Sequence, residues 1–185
     1  MSASPKSSKT VNRGTGAGGA ATNTNGLSFE VATDLATEYK TIETTGGYKK
    51  IIFNGSDSVF ITTKKAKQRV PFLTPSRPKE LQAHGCKLPD ECYIDQEKKV
   101  LFIFEKKSQK GSGSVCEKLQ TADFKRKHYS KLFPQYSVVY FYCLSDWFRE
   151  KCKAELEFLD EIGVRVFWGS DKEYKKKVVE FITGY

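Results

Sequence analysis

The chain has 185 residues, 38% of them hydrophobic and 13% aromatic, which is enough apolar mass for one domain with a packed core. No apolar run approaches the roughly 18 residues that a membrane span needs, and the N-terminus lacks the apolar core of a signal peptide, so a soluble, cytoplasmic (intracellular) protein is expected. The formal net charge is +9, and between Lys98 and Lys131 ten basic residues stand against three acidic ones, a surplus that suggests a polyanionic partner.

Residues 1–26 are dominated by Ser, Thr, Gly, Asn and Ala, without one aromatic side chain. They read as a flexible N-terminal arm, and residues 27–185 as a single domain. Leu27, Val31, Leu35 and Tyr39 recur at helical spacing, which predicts a helix over Leu27–Lys40. Asn25 or Ser28 is the expected cap, and Glu30 lies on the first turn. Tyr48–Phe53 and Ser58–Thr63 are rich in β-formers and flank the turn sequence Asn54-Gly55-Ser56-Asp57, so a β-hairpin is expected. Lys64–Arg69 is basic, and Pro71, Pro75 and Pro78 mark an irregular stretch up to about Leu88. Residues 41–88 together read as an insertion.

Asp90–Asp95 and Val100–Lys107 read as strands joined by a tight turn over Gln96–Lys99. A Gly/Ser loop follows at Ser108–Ser114, then a helix over Cys116–Leu132. Ser137–Leu144 is nearly all apolar and reads as a buried strand. A helix over Glu150–Ile162 ends at Gly163. A short strand at Val164–Trp168 and a helix over Glu173–Ile182 complete the chain. Alternating strands and helices after an antiparallel hairpin imply an α/β fold, with a central mixed β-sheet flanked by helices. The five cysteines (Cys86, Cys92, Cys116, Cys143 and Cys152) form no CxxC pair, and His84 and His128 complete no zinc spacing. Reduced, scattered thiols are expected.

The most informative stretch is Pro89-Asp90-Glu91-Cys92-Tyr93-Ile94-Asp95 with Val100-Leu101-Phe102-Ile103-Phe104-Glu105-Lys106-Lys107. Side chains alternate across a strand, so Glu105 and Lys107 share a face with Leu101 and Ile103, and Lys106 shares the other with Phe102 and Phe104. A turn centred between Glu97 and Lys98 sets Asp95 opposite Val100 and Asp90 opposite Glu105. Facing carboxylates repel, and a hard divalent cation with oxygen ligands offsets that repulsion. Two carboxylates, a metal and a nearby lysine suit phosphodiester hydrolysis: the metal activates water and neutralises charge, and the lysine orients the water. Glu30 is a candidate for a further carboxylate. Its other reading is an ordinary first-turn acid favoured by the helix dipole.

Pro89-Asp90, fourteen intervening residues and Glu105-Lys106-Lys107 resemble the signature of the PD-(D/E)XK nuclease superfamily. The order of elements from Leu27 onward is similar too. The resemblance implies a restriction-endonuclease-like αβββαβ core with the Tyr48–Leu88 region as an insertion, expected to serve DNA recognition or dimerisation. Within the superfamily the chain resembles the compact type II restriction endonucleases of bacteria and large DNA viruses, on the Asn25-Gly26-Leu27-Ser28-Phe29-Glu30 helix start and the run from Glu105 to Ser114. That implies Mg²⁺ held by Asp90, Glu105 and the backbone carbonyl of Lys106, with Lys107 serving the attacking water. It also implies a homodimer that cuts double-stranded DNA at a short specific site, without an organic cofactor.

Residues expected to hold nucleic acid are Lys64, Lys65, Lys67, Gln68 and Arg69 in the basic segment. Gln109, Lys110, Ser112 and Ser114 join them from the Gly/Ser loop, and Lys118, Gln120, Lys125 and Arg126 from the next helix. His128 is read as packing or contacting backbone. Two alternatives stand beside restriction cleavage. One is another nuclease of the superfamily, a junction resolvase, repair nuclease or RNA-cutting enzyme. The other is a basic nucleic-acid-binding protein without catalysis.

Overall fold

The computed structural model describes residues 20–45, 48–53, 56–63, 75–83, 89–111 and 115–185. Its centre is a seven-stranded sheet whose strands lie in chain order: β1 (Lys40–Thr45), β2 (Tyr48–Phe53), β3 (Ser56–Thr63), β4 (Glu91–Asp95), β5 (Val100–Lys107), β6 (Ser137–Leu144) and β7 (Val166–Trp168). β1 to β5 form an antiparallel meander, and β5, β6 and β7 are parallel. Parallel neighbours need a crossover, and helices provide both: α2 (Glu117–Gln120) and α3 (Ala122–Leu132), then α4 (Trp147–Lys151) and α5 (Lys153–Glu161). α1 (Ala20–Ala32) precedes the sheet and α6 (Tyr174–Thr183) closes the chain. The fold is thus α/β, with a mixed sheet between helices.

Strand alternation builds the two cores. Cys92, Ile94, Leu101 and Ile103 pack with Leu119, Ala122, Tyr129 and Leu132 of α2 and α3 and with Phe148 and Leu159 of α4 and α5. On the other face Tyr93, Val100, Phe102 and Phe104 pack with Leu35 and with Tyr174, Val178, Val179 and Ile182 of α6. β5 is therefore covered on both sides. Each of its fully buried Leu, Ile and Phe side chains contributes about 1.5–3 kcal/mol.

The hairpin that carries the motif has the expected register: Asp95 pairs with Val100, Ile94 with Leu101 and Glu91 with Phe104. Its turn is closed by the Lys98 N–H, which donates to Asp95 Oδ1 at 2.8 Å, and Lys99 takes a left-handed φ of 57°. Gly163 ends α5 as expected. Its φ is 67°, its N–H donates to the Asp160 carbonyl, and the Val164 N–H donates to that of Leu159, a Schellman closure.

Four expectations need correction. The first helix runs over Ala20–Ala32, so Asn25 and Ser28 are internal to it and not caps. Leu27 and Val31 are 56% and 76% exposed, and only Leu35 of the proposed stripe is fully buried, from a turn beyond the helix. That turn is local: the Asp34 carboxylate accepts the Ala36 N–H at 2.6 Å, an alternative to helical bonding. The chain then enters β1 at Lys40–Thr45, a strand not expected from the sequence. Residues 41–88, read as an insertion, contribute β1, β2 and β3 to the same sheet as the motif hairpin, with β3 paired directly to β4.

The third correction concerns two helices expected to be continuous. One breaks at Thr121, whose hydroxyl donates to the Lys118 carbonyl, and the other at Cys152, whose backbone leaves helical angles. The fourth concerns the thiols. Cys116 and Cys152 are joined in a disulfide across 36 positions, because α2 packs on α5. Linear spacing carries no trace of that approach. Cys92 and Cys143 are buried thiols. Among the described residues no helix is long and apolar enough to cross a membrane.

Candidate active site

The motif residues meet at the open end of the hairpin. Asp90 stands one position before β4, and its Oδ2 accepts the backbone N–H of Lys106 at 2.7 Å. The side chain thereby continues the ladder beyond the last β4–β5 pair. Lys107 Nζ donates to Asp90 Oδ2 at 3.0 Å, to Glu105 Oε2 at 2.7 Å and to the Lys106 carbonyl at 3.0 Å. The two carboxylates are almost wholly enclosed, and one-fifth of the Lys107 side chain is exposed. Burial alone would lower the pKa of Lys107, but the charges and hydrogen bonds of Glu105 and Asp90 outweigh it and hold the ammonium well above its ordinary value.

Those three oxygens all lie within hydrogen-bonding distance of the Lys107 ammonium, which occupies the point between them. Two carboxylates and a carbonyl form the all-oxygen set that a hard dication such as Mg²⁺ takes, so the residues present fit that ion. Among the described residues the one cluster of three His, Cys, Asp or Glu ligand atoms is Cys116, Cys152 and Glu155, and its sulfurs are spent in the disulfide.

The floor of the site comes from β6. Tyr142 pairs with Glu105 in the parallel ladder. The Tyr140 hydroxyl donates to that of Tyr142 at 3.3 Å, which in turn donates to the Lys118 carbonyl at 3.4 Å. Burial, with the nearby Glu105 charge, pushes the Tyr142 phenol up to about 12. A second ammonium approaches from α3: Lys125 Nζ lies 3.7 Å from Glu105 Oε2. The sequence alone points to Lys125 as an external phosphate contact. A signal was present, because Ala122, Lys125, Tyr129 and Leu132 fall on one helical face, and the other three are core residues.

Lys106 points the opposite way, as alternation requires. Its ammonium is buried in an ion pair with Glu91 and also donates to the carbonyls of Thr33 at 2.9 Å and Glu30 at 3.4 Å. It therefore ties the end of α1 to β5, a cation at a helix C-terminus. Glu91 also accepts from the Tyr93 hydroxyl. Burial raises the Glu91 pKa, against the lowering effect of Lys106. Glu30 is thus linked to β5 through its backbone carbonyl, on the face opposite Glu105 and Lys107.

The other nominated residues divide. Gln109 lies beside the site, where its N–H donates to Ser145 Oγ and its amide to the Gly111 carbonyl. Lys110 and Lys118 are exposed. Gln120 donates to Glu155. Arg126 is engaged within the fold, donating to the Ile162 carbonyl at 2.7 Å and to Asp123 at 3.0 Å. Lys64, Lys65, Lys67, Gln68, Arg69, Ser112 and Ser114 lie outside the described residues, as does most of the N-terminal arm. His128 packs, as expected: its Nε2 accepts the Ala83 N–H at 2.9 Å, and its ring stacks on Phe124.

No protein-family model, no curated protein and no solved structure matches this chain.

Proposed function

We propose that the protein is a magnesium-dependent endonuclease of the PD-(D/E)XK kind that hydrolyses phosphodiester bonds in double-stranded DNA. The observation that carries this reading is the convergence of Asp90, Glu105 and the Lys106 carbonyl on the Lys107 ammonium. The positive charge clustered between Lys98 and Lys131 supports a polyanionic substrate.

In this reading Asp90, Glu105 and the Lys106 carbonyl hold the ion. When bound, Mg²⁺ supplies charge neutralisation at the phosphate and a lowered pKa for water. The protein's own groups do the rest. Lys107 donates hydrogen bonds that orient the attacking water and meet negative charge as it develops. The Asp90 bond to the Lys106 N–H fixes one carboxylate against the other, so the site is preorganised. Tyr140 and Tyr142 close the floor and limit water access from the sheet side. In its finer form the proposal is a type II restriction endonuclease that acts as a homodimer at a short specific site.

Incubation of a sequenced plasmid with protein and Mg²⁺ tests the proposal. Discrete fragments, lost in EDTA and lost in Glu105→Gln, are expected. A smear identifies a nonspecific nuclease, and cleavage of a four-way junction alone identifies a resolvase. Cleavage by Glu105→Gln at the parent's rate would overturn the site assignment, and an inert parent would leave the binding-protein alternative.

A further inference from the structure

Lys125 breaks the apolar stripe of α3. Its neighbours on that face, Ala122, Tyr129 and Leu132, are core residues packed against the sheet. An ammonium among such neighbours is unfavourable unless it meets an opposite charge. The side chain is 17% exposed, and its Nζ stands 3.7 Å from Glu105 Oε2. That same oxygen already receives Lys107 at 2.7 Å. One carboxylate oxygen thus faces two lysines from two different elements, one from β5 and one from α3.

Charge arithmetic gives the second lysine a purpose. Asp90, Glu105, Lys107 and Lys125 together are neutral. A dication on the carboxylates leaves a surplus of two positive charges. Hydrolysis of a phosphodiester begins with one negative charge on the phosphate. The water oxygen bonds to phosphorus as its proton passes to a neighbouring solvent water, so the transition state approaches two negative charges. The P–O bond to the leaving sugar then breaks, and the leaving oxygen takes a proton from solvent. One water is consumed, and no oxidant or reductant is required. A site with Lys107 alone would be one charge short of that transition state.

Resting on the nuclease reading above, we propose that Lys125 is a second catalytic lysine, which grips the scissile phosphate from the α3 side once Glu105 is engaged with metal. It sits on a crossover helix and Lys107 on the strand before it, so the two ammoniums reach Glu105 Oε2 from different elements. Lys125 is then part of the reaction centre, distinct from the exposed lysines of α2 and α3, which track the outer backbone.

Single-turnover cleavage of plasmid DNA by Lys125→Met and Lys125→Arg tests the proposal, alongside calorimetric titration of Mg²⁺ alone into each protein. Lys125→Met is expected to slow the chemical step by about 100-fold, the effect of removing one donor to developing charge. Its Mg²⁺ affinity should stay within about 3-fold of the parent, and Lys125→Arg should recover most of the rate. If added Mg²⁺ restores the Lys125→Met rate, the lysine only positions Glu105 and the proposal fails. A Lys125→Met rate equal to the parent's also overturns it, while the nuclease reading stands. A parent that cuts no DNA overturns both.

Discussion

The carboxylate of Asp90 accepts the backbone N–H of Lys106 at 2.7 Å, so a side chain takes the place of the next rung in the β4–β5 ladder. One oxygen then serves two ends, since Asp90 Oδ2 also receives the Lys107 ammonium. Strand geometry and proposed chemistry meet in this one group.

Asp90→Asn separates the two roles. The amide oxygen still accepts the Lys106 N–H, and the negative charge is gone. Cleavage should fall by at least about 100-fold, with the melting temperature within a few degrees of the parent. Asp90→Ala also releases a buried N–H, which costs about 1–3 kcal/mol. Its melting temperature should drop further than that of Asp90→Asn, which circular dichroism will measure.

Lys106→Met leaves Glu91 as a buried carboxylate without its cation. Removing one partner of such a pair costs about 3–5 kcal/mol. The loss should depend on pH. Burial already holds the folded pKa of Glu91 above its ordinary 4.5, and loss of Lys106 raises it further. A raised carboxylate is tolerated below the unfolded value and loses stability as pH rises through the folded one. Urea titrations should therefore find the variant closest to the parent near pH 4 and weakest at neutral pH. Lys106→Met combined with Glu91→Gln should recover much of the difference at neutral pH.

His128 carries the opposite sign. Burial, followed by the charges of Arg77 and Lys131, holds its pKa below the ordinary 6.5. Its Nε2 must stay unprotonated to accept the Ala83 N–H. The stability it contributes is complete above pH 6.5 and is lost as pH falls through the lower folded value. The parent's melting temperature should decline between pH 7 and 5, and His128→Gln should flatten that decline.

The disulfide closes a loop across 36 positions, and chain entropy assigns such a closure roughly 3–4 kcal/mol. Dithiothreitol should lower the denaturation midpoint of the parent and leave that of Cys116→Ser/Cys152→Ser unchanged. Burial pushes the Cys143 thiol up to about 12. Cys92 and Cys143 should ignore Ellman's reagent in the native protein and react after denaturation, counted at 412 nm.

Much of the site was legible because it is local. Strand period and one tight turn were enough to place Asp90 beside Glu105 and to put Lys107 on their side with Lys106 behind. The Leu27–Tyr39 stripe misled, because periodicity does not register the turn that Asp34 makes with its own backbone. β1 was hidden for the same reason: its first residue, Lys40, was absorbed into that helix. The disulfide and the aim of Lys125 were not legible as contacts. Each depends on where a crossover helix lands, which is a property of the assembled sheet. Lys125 left a trace even so, as a charged residue on an apolar helical face.

The locality of the hairpin also bears on folding order. Asp90, Glu105 and Lys107 lie within one hairpin bent by a single short turn, and hairpins form in about 1–10 μs. During synthesis this pair of carboxylates emerges before α3 and β6, the later elements that flank it. The nascent hairpin therefore brings like charges together early, with Lys107 as the counter-ion carried in the same segment. α3 is translated after it, so Lys125 joins a centre whose geometry the hairpin has already set. The seat of the proposed chemistry is thus built within one local hairpin of the sheet.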